Sequence, residues 1–176
     1  MFKILYDPVS VIKQEVKNPS FPRILLMLFA ASLFETIGLL FIVWKFLPFL
    51  LTQNFIVLGI LVSLFGLIAS HLVVAFFFSL VMHVLDGKGG YYDGLSTLVL
   101  GMIAPAVAIF FAGAFVFIPF GLFFALLLLS YGYVLGAATL FRAAKELFSV
   151  DYAGVLIGFL ITSFVLGSAL CAAFIL

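Results

Sequence analysis

The dominant pattern of the chain is a series of long apolar stretches, interrupted by short segments that hold charges, prolines and glycines. A helix needs about 20 apolar residues to cross about 30 Å of hydrocarbon. The stretches that meet this requirement are residues 24–47, 55–85, 95–117, 120–141 and 152–175. Each is predicted to be helical, because a backbone in lipid must satisfy its own hydrogen bonds and the alternation typical of a barrel is missing. The predicted fold class is all-α: a polytopic membrane protein whose five-transmembrane-helix bundle occupies residues 22–176.

The first 21 residues show a different pattern, in which apolar residues recur at steps of three and four. These residues are Phe2, Leu5, Val9, Ile12 and Val16. The stripe predicts a short N-terminal amphipathic helix, with Asp7 as its cap, Pro8 at its first position and an end at Asn18-Pro19. Such a helix lies either on the inner membrane surface or packed under the bundle. The basic residues on its polar positions favour the interfacial placement.

The lysines and arginines predict the orientation. Seven of the eight flank the same ends of the five spans: Lys3, Lys13, Lys17, Arg23, Lys88, Arg142 and Lys145. The remaining one, Lys45, belongs to the opposite side. Because cytoplasmic loops are enriched in Lys and Arg, we expect a multi-pass protein of the cell membrane with its N-terminus in the cytoplasm and its C-terminus outside.

The composition excludes several classes of function. Hydrophobic residues make up 67% of the 176 residues and charged residues only 9%, whereas soluble domains contain about 45–50% and about 25%. A soluble enzyme or a nucleic-acid binder is therefore ruled out. The single cysteine, Cys171, cannot form a disulfide framework, and no motif for a catalytic triad, a metal site or a cofactor is found. We expect a non-enzymatic protein without cofactor or metal, whose first partner is the lipid bilayer.

Glu35 and His71 are predicted to lie near the middle of the membrane. At 1.5 Å per residue, Glu35 lies about 18 Å beyond the start of its span, and His71 on an antiparallel span reaches a similar depth. Ser70 and Ser163 are candidates for the same polar layer. Ionisable residues at this depth usually face other helices. The pair forms a proton relay or a cation site, or else Glu35 only fixes helix packing; one acid and one histidine favour packing.

The second candidate is a glycine-rich loop before the third span, formed by Gly87, Lys88, Gly89, Gly90, Tyr91 and Tyr92. It is not a Walker motif, since neither the Gly-Lys-Ser/Thr ending nor a preceding strand is present. Glycine permits positive φ and close approach of the backbone. The loop is either a flexible cytoplasmic turn or a contact for a lipid headgroup or a protein, with a lysine for charge and tyrosines at the interface.

Three segments resemble the Yip family of Ypt/Rab-interacting membrane proteins. They are Asp7-Pro8 through Lys17-Asn18-Pro19-Ser20, His83 followed by the loop Gly87–Tyr92, and Ala104-Pro105 within the third span. The resemblance implies five spans, a cytoplasmic N-terminus and a role in membrane organisation; eukaryotic members bind prenylated Rab GTPases. The sequence departs from those members in lacking their long cytoplasmic N-terminal domain and their Asp-Leu-Tyr-Gly-Pro motif. It is similar to a compact prokaryotic form.

We therefore expect a membrane adaptor or organiser of Yip type that binds a protein or lipid partner at the cytoplasmic face. The alternative is a small transporter or channel that uses Glu35 and His71. Faces of small residues, such as Gly59, Ser63 and Gly66, are typical of close helix packing and are also compatible with a homo-oligomer.

Overall fold

The computed structural model describes residues 2–48 and 53–175, and all regular structure within them is helical. This confirms the predicted all-α class. A short 3₁₀ helix at Phe2–Leu5 precedes six α-helices: α1 (Pro8–Lys17), α2 (Phe21–Phe46), α3 (Gln53–Val84), α4 (Tyr91–Phe115), α5 (Gly121–Phe148) and α6 (Tyr152–Ile175).

Four of these helices, α2 to α5, are long and apolar enough to cross a membrane. Over Tyr152–Ser168, α6 counts as a shorter apolar helix. A membrane protein with several spans is thus compatible with the structure, and the fifth span stays a prediction. Helix α5 continues seven residues past the predicted end at Phe141. Ala143, Ala144 and Phe148 are buried there, so packing against the bundle carries the helix beyond the apolar stretch.

Helix α4 forms the centre of the bundle. Its residues from Gly94 to Ala104 are all buried, and it packs chiefly against α5 on one side and α2 on the other. A helix that is apolar all round is expected in such a central position. Helix α3 packs against α4 and α6, and about half of its residues from 56 to 84 are exposed. Its small-residue face is open, because no described atom lies within 4 Å of where a Cβ at Gly59 or Gly66 would stand.

Close packing of α4 on α5 depends on small residues that the sequence pattern indicates. Ala104 and Ala108 are buried. A Cβ added at Gly136 would stand 2.6 Å from both the Gly101 carbonyl oxygen and the Pro105 ring. The two helices therefore approach each other more closely than any larger residue at position 136 would allow.

Helix α1 begins and ends where predicted, but the predicted stripe does not form one helix. The Asp7 carboxylate accepts a hydrogen bond from the Ser10 backbone N–H at 3.2 Å, and Pro8 occupies the first turn. Ser10, through its hydroxyl and then its backbone N–H, lowers the pKa of Asp7 from its ordinary value of 3.8. The residues before Asp7 form the separate 3₁₀ helix, because capping at Asp7 starts a new helix.

The inner face of α1 packs under the bundle rather than standing free. Ile12 is fully buried and belongs, with Ile4 and residues of α4, to the main hydrophobic core. Glu15, one turn further along α1, is also buried. The packed placement is thus observed for this face of α1, while contact of its other face with a membrane surface stays a prediction.

Candidate functional site

Glu15 is the most deeply buried charged residue in the described parts of the chain, with 2% of its surface exposed. Its carboxylate accepts hydrogen bonds from the Arg23 guanidinium, from the Tyr92 hydroxyl and, at 3.1 Å, from the Ser20 backbone N–H. The Ser20 N–H also donates to the Tyr92 hydroxyl oxygen at 2.7 Å. A buried carboxylate is stable only with such compensation, and here Ser20 and Arg23 at the start of α2 and Tyr92 of α4 provide it.

We call Glu15, Ser20, Arg23 and Tyr92 the Glu15 cluster. It joins α1 to the first turn of α2 and the first turn of α4, which lies 77 residues further along the chain. This cluster was not predicted from the sequence. Arg23 was counted toward orientation, Tyr92 was treated as a partner contact and Glu15 was given no role. One signal was present: Glu15 follows Ile12 by three residues, so a carboxylate stands on the apolar face of α1.

The glycine-rich loop lies beside the Glu15 cluster and is bound to the end of α5. The Lys88 backbone N–H donates to the Phe148 carbonyl oxygen at 2.9 Å. Gly87 and Gly89 are buried. A Cβ at Gly87 would stand 2.7 Å from the Met82 carbonyl oxygen, and a Cβ at Gly89 would stand 2.7 Å from the Phe148 ring. These two glycines are therefore explained by close approach of the backbone. No glycine among the described residues has positive φ.

The predicted loop residues divide into a packed set and an exposed set. Tyr92 belongs to the Glu15 cluster, and Gly90, although exposed, caps α4 with its backbone N–H donating to the Asp93 carboxylate at 2.8 Å. Lys88 and Tyr91 are exposed. Positive φ occurs instead at Asp86, with φ 61°. Of the six residues, Lys88 and Tyr91 thus offer the side chains that a partner could contact.

We define the α1 end of the bundle as the end that holds α1, the Gly87–Tyr92 loop and the turn after α5. The hydrogen bonds from Tyr92 to Glu15 and from Lys88 to Phe148 hold these parts together. Exposed lysines surround them: Lys13, Lys17, Lys88 and Lys145. Three basic segments that the sequence pattern assigns to one side of the membrane are therefore gathered at one end of the molecule.

Glu35 and His71 line the same cavity within the bundle, which has a volume of about 330 Å³. Tyr133 of α5 contributes a phenol, and the other lining residues of α4 and α5 are apolar. The His71 Nδ1 atom lies 2.7 Å from the Leu67 carbonyl oxygen, so Nδ1 carries the hydrogen of this bond and Nε2 is left for another partner. The structure thus brings together one carboxyl, one imidazole and one phenol.

Ser70 and Ser163 lie outside this cavity. The Ser70 hydroxyl donates to the Leu67 carbonyl oxygen at 2.8 Å and the residue is exposed. Ser163 is exposed on α6. The reason is helix phase: Ser70 precedes His71 by one residue and so points about 100° away from it. The cavity is therefore lined by Glu35 and His71 without the two serines, and a polar layer at mid-membrane stays a prediction.

Within residues 2–48 and 53–175, no three His, Cys, Asp or Glu residues are grouped closely enough to hold a metal ion. No family model, no curated protein and no solved structure matches the chain. The α1 end and the Glu35 cavity are therefore the two candidate functional sites.

Proposed function

We propose that the protein is a non-enzymatic, multi-pass membrane adaptor or organiser of Yip type, which binds a protein or lipid partner at the α1 end. The observation that carries the proposal is the Glu15 cluster, which fastens α1 to α2 and α4. A surface that is already rigid loses less conformational entropy when a partner binds. Exposed lysines on that surface favour an anionic partner.

The proposal includes a membrane topology. Five spans, with the α1 end in the cytoplasm and the C-terminus outside, agree with the concentration of lysines and arginines at the α1 end. Lys45, near the end of α2, is the one basic residue at the opposite end. The localisation proposed is the cell membrane.

Crosslinking in the native membrane, followed by mass spectrometry of the captured proteins, tests the adaptor. The variant is Lys88→Glu, since Lys88 is exposed in the loop, and the matched control is Lys45→Glu at the other end. We expect a specific partner that the native chain and the control capture and the variant loses. Capture of the protein alone would contradict a protein partner, and equal loss in both variants would contradict the α1 end as its binding surface.

A second function, transport of a proton or a small cation, is favoured by the Glu35 cavity. Carboxyl and imidazole groups inside a bundle are typical of proton relays. Proteoliposomes with an internal pH dye would compare the native chain with Glu35→Gln, using Glu146→Gln on the surface as the control. A proton flux that is abolished by Glu35→Gln and kept by Glu146→Gln supports transport. Identical dye traces from protein-free vesicles and from vesicles that contain the native chain exclude it.

A further inference from the structure

A separate cavity of about 260 Å³ lies at the α1 end, where the 3₁₀ helix, α1 and α2 meet. Its lining consists of Lys3, Val11, Gln14, Arg23 and Met27. Two of these five residues are cationic and one is an amide donor. This differs from the Glu35 cavity, whose lining holds no lysine or arginine.

Arg23 has hydrogen-bonding capacity that the protein leaves unused. Its Nη2 atom donates to Glu15 and, at 2.8 Å, to the Asn18 carbonyl oxygen. Its Nε atom is buried and has no partner among the described residues. A buried donor without an acceptor is costly, and a guanidinium is well suited to bind carboxylate or phosphate oxygens.

The charge balance around the cavity is positive. Lys3 and Arg23 line it, whereas the Glu15 carboxylate that offsets one of them is occupied by three donors. Asp7 lowers the potential near Lys3, but it accepts from Ser10 and does not line the cavity. The net charge that a ligand would meet is therefore positive, which selects for anions.

The position of the cavity indicates the kind of anion. Arg23 stands in the first turn of α2, and the apolar stretch of that helix begins at the next residue. Met27, one turn further, adds an apolar wall. A site with cations at its polar end and an apolar wall toward the predicted membrane matches a phosphate group attached to a diacylglycerol.

We propose that Lys3, Gln14 and Arg23 bind the phosphate of an anionic phospholipid at the α1 end. Arg23 would then have two roles. Its Nη2 atom donates to Glu15 within the Glu15 cluster, and the guanidinium also binds the lipid phosphate. This inference rests on the proposed function, whose partner it specifies as a lipid.

The test is native mass spectrometry of the full chain released from detergent, titrated with phosphatidylglycerol, with phosphatidylcholine or with inorganic phosphate. Lys3→Gln removes one cation, and its side chain is exposed, so the fold is kept. Lys13→Gln is the matched control, because Lys13 is an exposed lysine of α1 that does not line the cavity. Arg23 is left intact, since its loss would also break the Glu15 cluster.

We expect one phosphatidylglycerol to bind more tightly than phosphatidylcholine, and Lys3→Gln to weaken that binding about fivefold while Lys13→Gln changes it less than about twofold. Equal losses in the two variants would show diffuse attraction and overturn the site. Equal affinity for both lipids, or binding of inorganic phosphate with no preference for the anionic lipid, would also overturn it. If lipid binding fails while the crosslinked partner is still captured, the adaptor stands and the lipid site alone is refuted.

Discussion

Replacing Glu15 by Gln should release α1 from the bundle. The carboxylate is 2% exposed and accepts hydrogen bonds from Arg23, Tyr92 and Ser20. Breaking a buried ion pair costs about 3–5 kcal/mol, and we take the lower limit because the Arg23 side chain is 29% exposed and can be hydrated. A loss of about 3 kcal/mol corresponds to a roughly hundredfold increase in the equilibrium constant for the opening of α1.

Hydrogen exchange of the α1 backbone amides in lipid nanodiscs measures this opening directly. The matched control is Glu146→Gln on α5. Glu146 pairs with Arg142 at 4.0 Å, and both side chains are 40% exposed. An exposed pair of this kind contributes about 0.3–0.5 kcal/mol, so the control should change exchange less than about threefold.

The role of Glu15 in holding α1 to the bundle would be refuted if Glu15→Gln and Glu146→Gln had the same small effect on the exchange of α1. It would also be refuted if α1 exchanged fast in the native chain, since α1 would then be undocked without any substitution. Tyr92→Phe provides an intermediate step, because it removes only the hydroxyl that donates to Glu15. We expect a loss of about 1.5–3 kcal/mol for this change, the range for a hydrogen bond to a charged group.

Three further predictions concern packing and pH. Gly136→Ala should lower the free energy of unfolding by about 1–3 kcal/mol, since its Cβ would stand 2.6 Å from neighbouring atoms. Thermal unfolding in detergent measures this loss, and the control Gly59→Ala, whose Cβ would face open space, should unfold like the native chain. Phe148→Ala should cost about 3–5 kcal/mol by the same assay, because the ring is fully buried and packs edge-on against another phenylalanine; a loss below 1 kcal/mol would contradict this packing. The lowered pKa of Asp7 means that its cap is fully present above pH 3.8 and is lost as the pH falls through the lowered pKa. In the native chain, the protection of α1 amides, corrected for intrinsic exchange, should decrease as the pH falls below 3.8. In Asp7→Asn, whose side chain caps the helix without titrating, the protection should stay constant.

Local patterns predicted those features that depend on neighbouring residues. The long apolar stretches predicted the helices, and the capping residues Asp7 and Pro8 predicted the start of α1. Depth along two antiparallel helices sufficed to place Glu35 and His71 at one cavity, because the rise per residue is constant.

Features that depend on contacts between distant segments were missed. The partner of Glu15 on α4 lies 77 residues away, and no spacing rule connects the two positions. The sequence indicated the small-residue face of α3 but left open whether it packs within the chain, since a pattern of glycines does not say which neighbour covers it. Depth without helix phase also grouped Ser70 with Glu35 and His71 in one polar layer, whereas Ser70 does not line the cavity that those two residues share.

The separation of Glu15 from its partners sets an order of events during synthesis. Arg23 follows eight residues later, so the ion pair can form as soon as the first turn of α2 has left the ribosome. Tyr92 follows 77 residues later, which at about 5–20 residues per second is a delay of about 4–15 seconds. Throughout that interval the Glu15 carboxylate lacks the hydrogen bond from the Tyr92 hydroxyl. The closing of α1 onto the bundle therefore reports that α4 has arrived, and the first α-helix to be made is locked in place only after α2, α3 and the first turn of α4 have followed it.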